Sequence, residues 1–307
     1  MAAYIIRRLL LLVPIWLGIL VLVFLMRVLV PGDPVDLMFA GQLSSPEAKA
    51  AMREKLGLDR PLPVQFVDYV RGVVRGDLGT SITTQRPVTE EIKSRYPYTL
   101  VLAVASLSIA TTIGLITGIL SAIYKDSIID AVAMIFALAG LSMPAFWLGL
   151  LLIYIFAVDL GWFPVLGEMS PKGMVLPSVT LGVIASAVTA RLVRSAMLDV
   201  LGEDYIRTAR AKGIIEARVI LRHALRNALI PIVTIIGLQF GGLLSGAFII
   251  EVVFAWHGVG ELAIHALQKR DFPLIQGIVL VVATTYVLVN LAVDVVYAVL
   301  DPRIAYR

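Results

Sequence analysis

The sequence predicts an all-α membrane protein with six transmembrane helices. Two observations predict it: six nearly uncharged apolar runs, each long enough to cross a bilayer, and basic residues gathered in alternate loops between them. Of 307 residues, 59% are hydrophobic and 16% charged, with a mean hydropathy of +0.91; soluble domains are only about 45–50% apolar. A hydrocarbon core about 30 Å thick needs about 20 residues at 1.5 Å rise. The runs cover Leu9 to Val30, Tyr98 to Tyr124, Ile128 to Val158, Met174 to Val193, Ala228 to Ile250 and Phe272 to Leu300.

Each element has its own signals. The first run follows Arg7-Arg8 and stops at the helix-breaking Pro31-Gly32-Asp33-Pro34. Its apolar stretch is too long for a signal peptide and lacks a small-residue cleavage site, so it reads as a retained helix. The third run is long enough to tilt or bend, and Pro144 offers the place. Asp294, late in the sixth, can snorkel or pair at the interface.

Basic residues set the orientation. Arg7, Arg8, Lys125, the cluster from Arg191 to Arg226, and Arg303 with Arg307 fall on one side if both termini are cytoplasmic. Residues 31–97 then lie outside, where nine basic and nine acidic residues cancel. Glu251, Glu261 and Asp271 are assigned to an outer loop. The outer segment is itself patterned: Ser45-Pro46-Glu47 suits a helix start, Gly57 a helix stop, and Val64 to Val74 is amphipathic. A small helical cap lying at the outer membrane surface follows.

Composition excludes several chemistries. With no cysteine there is no disulfide or thiolate. His223, His257 and His265 lack metal-site spacing, and the net charge of +4 suits loops held in the cytoplasm better than nucleic acid. No ionisable group lies near the centre of the second, third, fifth or sixth span, which argues against an ion-coupled secondary carrier. A passive channel stays open on this ground, whereas an intramembrane enzyme would need paired catalytic groups at membrane depth, and none is present. Mild polar groups remain, of which Gln239 and Ser245 are candidates to line a pathway. No GxxxxGK[ST] phosphate loop occurs, so any ATP hydrolysis happens on another chain.

The stretch from Asp199 to Pro231 carries the most information. Asp204 is placed to cap a short helix, Glu203 to favour its positive end, Lys212 to suit its C-terminal end and Gly213 to supply a left-handed stop. Tyr205, Thr208, Ala209 and Lys212 share one face at helical spacing. With Ala209 at its centre, that face reads as a docking surface, with Arg207 and Arg210 beside it to pair with acidic groups. The plainer alternative is a solvated basic loop that only obeys the charge rule.

This loop resembles the EAA loop of ABC importer permeases, with Arg207-Thr208-Ala209-Arg210-Ala211-Lys212-Gly213 where the general pattern is E-A-A-x-x-x-G. Arginine stands in place of the glutamate. YIRTARAKG followed by HALRNALIP resembles the dipeptide/oligopeptide/nickel permeases, as do PGDP at Pro31, LGLDRPLPVQF at Leu56, GDLGTS at Gly76, LPSVTLG at Leu176, GLQFGGLL at Gly237 and RDFPLIQG at Arg270. Within that family the chain is most similar to the first permease subunit, of dipeptide or glutathione type.

The resemblance implies a type I ABC importer permease fold in the bacterial inner membrane. Residues 1–30 would carry the first helix, 31–97 a periplasmic helical cap, and 98–307 the permease core with a coupling loop at 199–227. Residues 203–205 and 207–213 would form a helix docked on an ATPase subunit. Implied partners are a homologous second permease, two ATPase subunits that bind the ATP and Mg, a periplasmic or lipid-anchored binding protein, and membrane lipid. The chain would hold no cofactor, metal or catalytic residue of its own. Small peptides are the implied substrate, with glutathione, nickel complexes or oligosaccharides as alternatives.

Overall fold

The computed structural model describes the backbone of residues 2–29, 35, 45–55 and 57–300, and their side chains except those of 2–9, 27, 55, 230, 245, 246 and 296–300. The Pro31–Pro34 stop, Arg303 and Arg307 lie outside these residues. The described elements are helical, apart from an isolated bridge between Thr80 and Pro87. In chain order they are α1 (Ala2–Leu29), α2 (Pro46–Lys55), α3 (Leu62–Val74), α4 (Val88–Ile123), α5 (Ile128–Ser142) and α6 (Ala145–Leu152), which runs into a π-helical segment at Ile153–Asp159. Then come α7 (Val175–Leu201), α8 (Asp204–Ala211), a turn and π-helical segment over Glu216–Arg218 and Val219–Ala224, α9 (Leu225–Val253), α10 (Val259–Gln268) and α11 (Phe272–Leu300).

Within α4, α7 and α11, the stretches Val88–Ile123, Val175–Leu201 and Phe272–Val295 are each long and apolar enough to cross a membrane, and two bent pairs bring the number to as many as five. In α1, the part described with side chains, Leu10–Met26, is an apolar helical stretch. The third expected run is not one straight helix. Its halves, Ile128–Ser142 and Ala145–Asp159, meet at 103°. Met143 (ψ 126°) and Pro144 (ψ 132°) are extended, as proline's clash with the preceding residue favours. Pro231 bends α9, where Glu216–Leu229 and Pro231–Leu244 meet at 55°.

The centre of the fold is the seam between α4 and α7. Ser106, Ala110, Gly114, Gly118 and Ala122 recur at every fourth position of α4, all buried, and Ser178, Gly182, Ser186 and Ala190 do the same on α7. A Cβ at Gly118 would lie 2.6 Å from both the Ala190 carbonyl oxygen and Val193 Cβ, and one at Gly114 would lie 2.4 Å from Thr189 Cβ. Only residues without a side chain let these backbones approach so closely. The buried Ser106 and Ser178 hydroxyls make no hydrogen bond among the described residues, so their contribution to the seam is small size.

Two polar links attach α1 to α11. Trp16 Nε1 in α1 donates to Thr284 Oγ1 of α11 at 3.1 Å, and Gln276 Nε2 of α11 donates to the Val23 carbonyl at 2.7 Å. The carboxylates expected in an outer loop are built into the fold instead. Glu251 belongs to α9 and is fully buried: Oε1 accepts from Thr99 Oγ1 (2.7 Å), and Oε2 accepts from the Gly260 and Glu261 amides (2.7 and 3.0 Å). Thr99 Oγ1 in turn accepts from the Val259 amide at 2.8 Å. Together they satisfy three orphan donors at the start of α10. Asp271, also fully buried, accepts from Ser81 Oγ (2.5 Å), the Thr83 amide (3.0 Å) and the Leu274 amide (3.3 Å). That joins the GDLGTS and RDFPLIQG segments, which are far apart in sequence.

Gly118→Val should destabilise the chain by about 1–3 kcal/mol by forcing the seam apart. Gly242→Ala is the control, because nothing lies within 4 Å of a Cβ there. Thermal unfolding of the purified chain should show a lower midpoint for the first only. Glu251→Ala, which orphans two amides and a hydroxyl, should cost about 2–4 kcal/mol in the same assay.

Candidate functional site

The basic loop folds as a short, stiff helix held against the bundle. Glu203, not Asp204, takes the N-cap position (φ −71°, ψ 148°), and its side chain makes no capping bond. Asp204 is the first helical residue and pairs with Arg207 one turn on, at 3.5 Å. Lys212 is the C-cap, and Gly213 follows with φ +71°, a left-handed conformation that costs other L-residues about 1–2 kcal/mol. The chain reverses there, with the Gly213 amide bonded to the Arg210 carbonyl (2.9 Å) and the Ile214 amide to that of Ala209 (3.3 Å).

The face expected to dock is split. Ala209 is 7% exposed and turned inward beside Ile206, which is fully buried. Both pack into an apolar cluster with Ala122 of α4, Met197 of α7, Val219 and Ile220 of the π-helical segment, and Ala228 and Ile232 of α9. An isoleucine three residues before Ala209 shares its face, and removing that side chain from water outweighs any preference for an outward alanine. The solvent side carries Asp204, Tyr205, Arg207, Thr208, Ala211 and Lys212. Ala211 is the small residue on that side.

Charge pairs stiffen the loop. Arg210, expected to meet a partner's acid, forks onto Glu216 across the reversal, at 2.7 Å from Nη2 and 3.2 Å from Nε. The guanidinium holds the Glu216 carboxyl below the usual carboxylate range. Because that pKa is depressed, the pair's contribution is complete above the ordinary glutamate range and is lost as pH falls below it. Asn227 Nδ2 donates to Tyr205 Oη at 2.8 Å, tying the helix start to α9. Beside the loop, Ile215 and Leu221 are 71% and 62% exposed, an apolar rim among the basic side chains.

A second pair, largely buried, ties the start of α5 to α7. Arg194 on α7 donates to both oxygens of Asp130 (Nε 2.8 Å, Nη2 2.6 Å) in a bidentate fork. Asp130 also accepts from Ser121 Oγ and from the Asp126 amide (3.0 Å). Arg194, counted at first as one of the charges that orient the chain, is a structural fastener between the α4–α5 turn and α7.

Gln239, a candidate pathway residue, spends both ends of its amide on α7: it accepts from Thr189 Oγ1 (3.0 Å) and donates to the Ala185 carbonyl (3.2 Å). It serves as an interhelical link. Ser245 lies within α9, but its side chain is outside the described residues. Sequence reading missed Ile206, Glu216, Asn227 and Asp130. Arg210 and Glu216, with opposite charges either side of a glycine stop, were the one legible signal.

Two family descriptions match the chain. Residues 114–306 match the binding-protein-dependent transport system inner membrane component, and residues 1–103 match the N-terminal part of such membrane components. The chain is 48% identical over 307 residues to the glutathione transport system permease protein GsiC of Salmonella choleraesuis (strain SC-B67), covering all of both chains. It is 43% identical over 335 residues to the di/tripeptide transport system permease protein DppB of Pseudomonas aeruginosa (strain UCBPP-PA14), again with full coverage of both. Among solved structures, the inward-facing MetNI methionine ABC transporter superposes with a TM-score of 0.60 at 18% identity, over 69% of this chain and 96% of that one. An amino acid ABC transporter crystallised with histidines superposes at 0.52 and 20% identity, over 70% and 94%. The pattern of apolar helices, the braced basic loop and these full-length matches lead to one conclusion: the chain is a multi-pass membrane protein that belongs to the binding-protein-dependent transport system inner membrane components, the permease subunits of ABC importers.

Proposed function

We propose that this chain is one of two homologous permease subunits of an inner-membrane importer for short peptides, from dipeptides and oligopeptides to glutathione. It would have six spans and both termini in the cytoplasm. Two ATPase subunits would bind ATP and Mg, and a periplasmic or lipid-anchored binding protein would deliver the substrate. The substrate class rests on the relatives: the names of those at 48% and 43% identity specify glutathione and di/tripeptides, which share a peptide backbone.

The coupling role rests on one observation above all. The helix α8 is anchored on its inner side by Ile206 and Ala209 and clasped at its end by Arg210 and Glu216, leaving a free outer side of Asp204, Arg207, Thr208 and Ala211. Such an element cannot move alone. Its anchors belong to α4, α7 and α9, so a push from a docked ATPase would reach three core helices as a rigid-body shift, biasing the bundle between two access states. Arg207 supplies charge for an acidic rim on the ATPase, and Ala211 lets the two surfaces close up. The interior of mildly polar groups suits a path that binds its cargo weakly and releases it.

Two substitutions separate docking from folding. Ala211→Arg should leave stability within about 0.5 kcal/mol of the parent, as for other surface changes, yet reduce ATP-dependent uptake by about tenfold or more, since arginine would hold the surfaces apart at the cost of about 1.4 kcal/mol or more of coupling. Ala209→Arg should instead lower the unfolding midpoint, because it drives a charge into the apolar cluster. Uptake by vesicles with all subunits, read beside thermal unfolding, checks both; normal uptake by Ala211→Arg would refute docking through this side. For substrate, a labelled dipeptide should enter in an ATP-dependent way and be competed by glutathione. Uptake of nickel complexes or oligosaccharides with no peptide uptake would refute the peptide class.

A further inference from the structure

Five turns among the described residues close a helix by the same pair of backbone bonds, and their sequences differ in one respect. At each, one amide bonds the carbonyl three residues back and the next amide bonds the carbonyl five back: Gly57 with Leu58, Gly76 with Asp77, Gly213 with Ile214, Ala255 with Trp256, and Arg270 with Asp271. The motif needs a left-handed residue at its first position, and φ there is +64°, +79°, +71°, +47° and +54° in that order. Glycine adopts that conformation freely, whereas for another L-residue it is disfavoured by about 5- to 30-fold. Three of the stops carry glycine. The two that do not, Ala255 and Arg270, lie at either end of one element, the segment 256–269 that contains α10. The other described non-glycine residues with positive φ, Gln85 and Asp126, sit in turns that lack this bond pair.

Backbone strain persists only where the surroundings hold it, and here the holding bonds are polar. At the first end, Trp256 Nε1 donates to the Tyr98 carbonyl at 2.9 Å, while Thr99 and Glu251 take the first amides of α10. Arg95, one turn before Thr99 on α4, donates to Glu261 at 3.2 Å. At the second end, buried Asp271 ties the Arg270 turn to Ser81 and Thr83. Ala255 has no polar side-chain atom to compensate its backbone, and Arg270 is exposed. A static clamp would be more stable with glycine at both stops. Strained stops held by hydrogen bonds and an ion pair suit an element with two positions, because such bonds part and re-form as discrete steps.

We propose that α10 is a strained latch between the two access states of the permease, an inference that rests on the two-state reading above. In the state described here, Arg95, Thr99 and Glu251 hold α10 against α4 with Ala255 and Arg270 left-handed. In the other state these bonds part, both residues relax to ordinary conformations, and α10 turns about those two hinges while remaining in the apolar cluster it shares with α11. The strain favours opening, so the closed latch yields to a push that arrives from the ATPase end.

Arg95→Cys with Glu261→Cys places a bridgeable pair across the latch in a chain that has no other cysteine. The transporter, assembled with all subunits in vesicles, is treated with a cleavable bifunctional thiol reagent, and the cross-linked peptide joining positions 95 and 261 is measured by mass spectrometry. Its yield should differ by about fivefold or more between nucleotide-free and ATP–vanadate-trapped transporter, the smaller of the biases above. Cross-linking should reduce ATP-dependent uptake of a labelled dipeptide by about tenfold, and cleavage of the reagent should restore it; Arg95→Cys alone, treated alike, should be unaffected. Ala255→Gly with Arg270→Gly in the same background relieves the strain and should raise the lower of the two yields about fivefold or more. Equal yields in the two nucleotide states overturn the proposal, as does full uptake by the cross-linked transporter or a glycine pair that leaves both yields unchanged. A transporter that imports no dipeptide before cross-linking speaks against the peptide reading instead, and the yields still decide the latch.

Discussion

The close approach of α4 and α7 is the constraint on which the other arrangements rest. Two ridges of small residues, spaced by four, let the backbones come within reach of each other's Cβ atoms, and Gly114, Gly118 and Gly182 leave no volume to spare. In lipid, where apolar burial between helices provides no net drive, such contact and the dispersion it brings are what hold two helices together. The seam also sets a register between the helices. Everything placed at either end of α4 and α7 inherits its position from it.

At one end, α7 leads directly into α8. Ala122, the last small residue of the α4 ridge, and Met197 near the end of α7 form the floor on which Ile206 and Ala209 sit. Asp130 and Arg194 fix the neighbouring turn to the same helix. At the other end, Thr99 of α4 meets Glu251 of α9 and the first amides of α10. A buried carboxyl is tolerated there because each oxygen receives donors, including two amides that the start of a helix would otherwise leave unpaired. The seam therefore connects the braced helix α8 with a polar lock at the far end, and a displacement at one has a stiff route to the other.

The legibility of these features in the sequence was uneven, for physical reasons. The Ser45 start and Gly57 stop of α2 were readable because capping is local: Ser45 Oγ accepts from the Ala48 amide at 3.2 Å, and Gly57 has φ +64°. The Gly213 stop was readable for the same reason. Thr284 bonds across helices to Trp16, a partner 268 residues away that no local rule names. Glu251 was misread as a loop residue because a charge at the end of an apolar run suggests water; only the fold shows Thr99 and the α10 amides converging on it. Ala209 was turned the wrong way because a helix's spacing defines its faces without saying which one meets protein. The third span does bend at Pro144, as its sequence allows, but the size of the bend was not legible there: tertiary packing selects a 103° break.

By itself the sequence determined a helical membrane protein, the order of its apolar segments, the short stopped helix before Gly213 and, through quoted motifs along the chain, its resemblance to peptide-type permeases. These depend on hydropathy, capping and backbone conformation, which act over a few residues or turns. Only the tertiary structure decided that Ala209 faces inward, that Arg210 binds Glu216 in place of a partner, that Gln239 belongs to a helix contact, and that Glu251 and Asp271 are buried fasteners. Each of these depends on which distant group satisfies a polar atom or fills a volume, and that is settled when α4 and α7 close on each other.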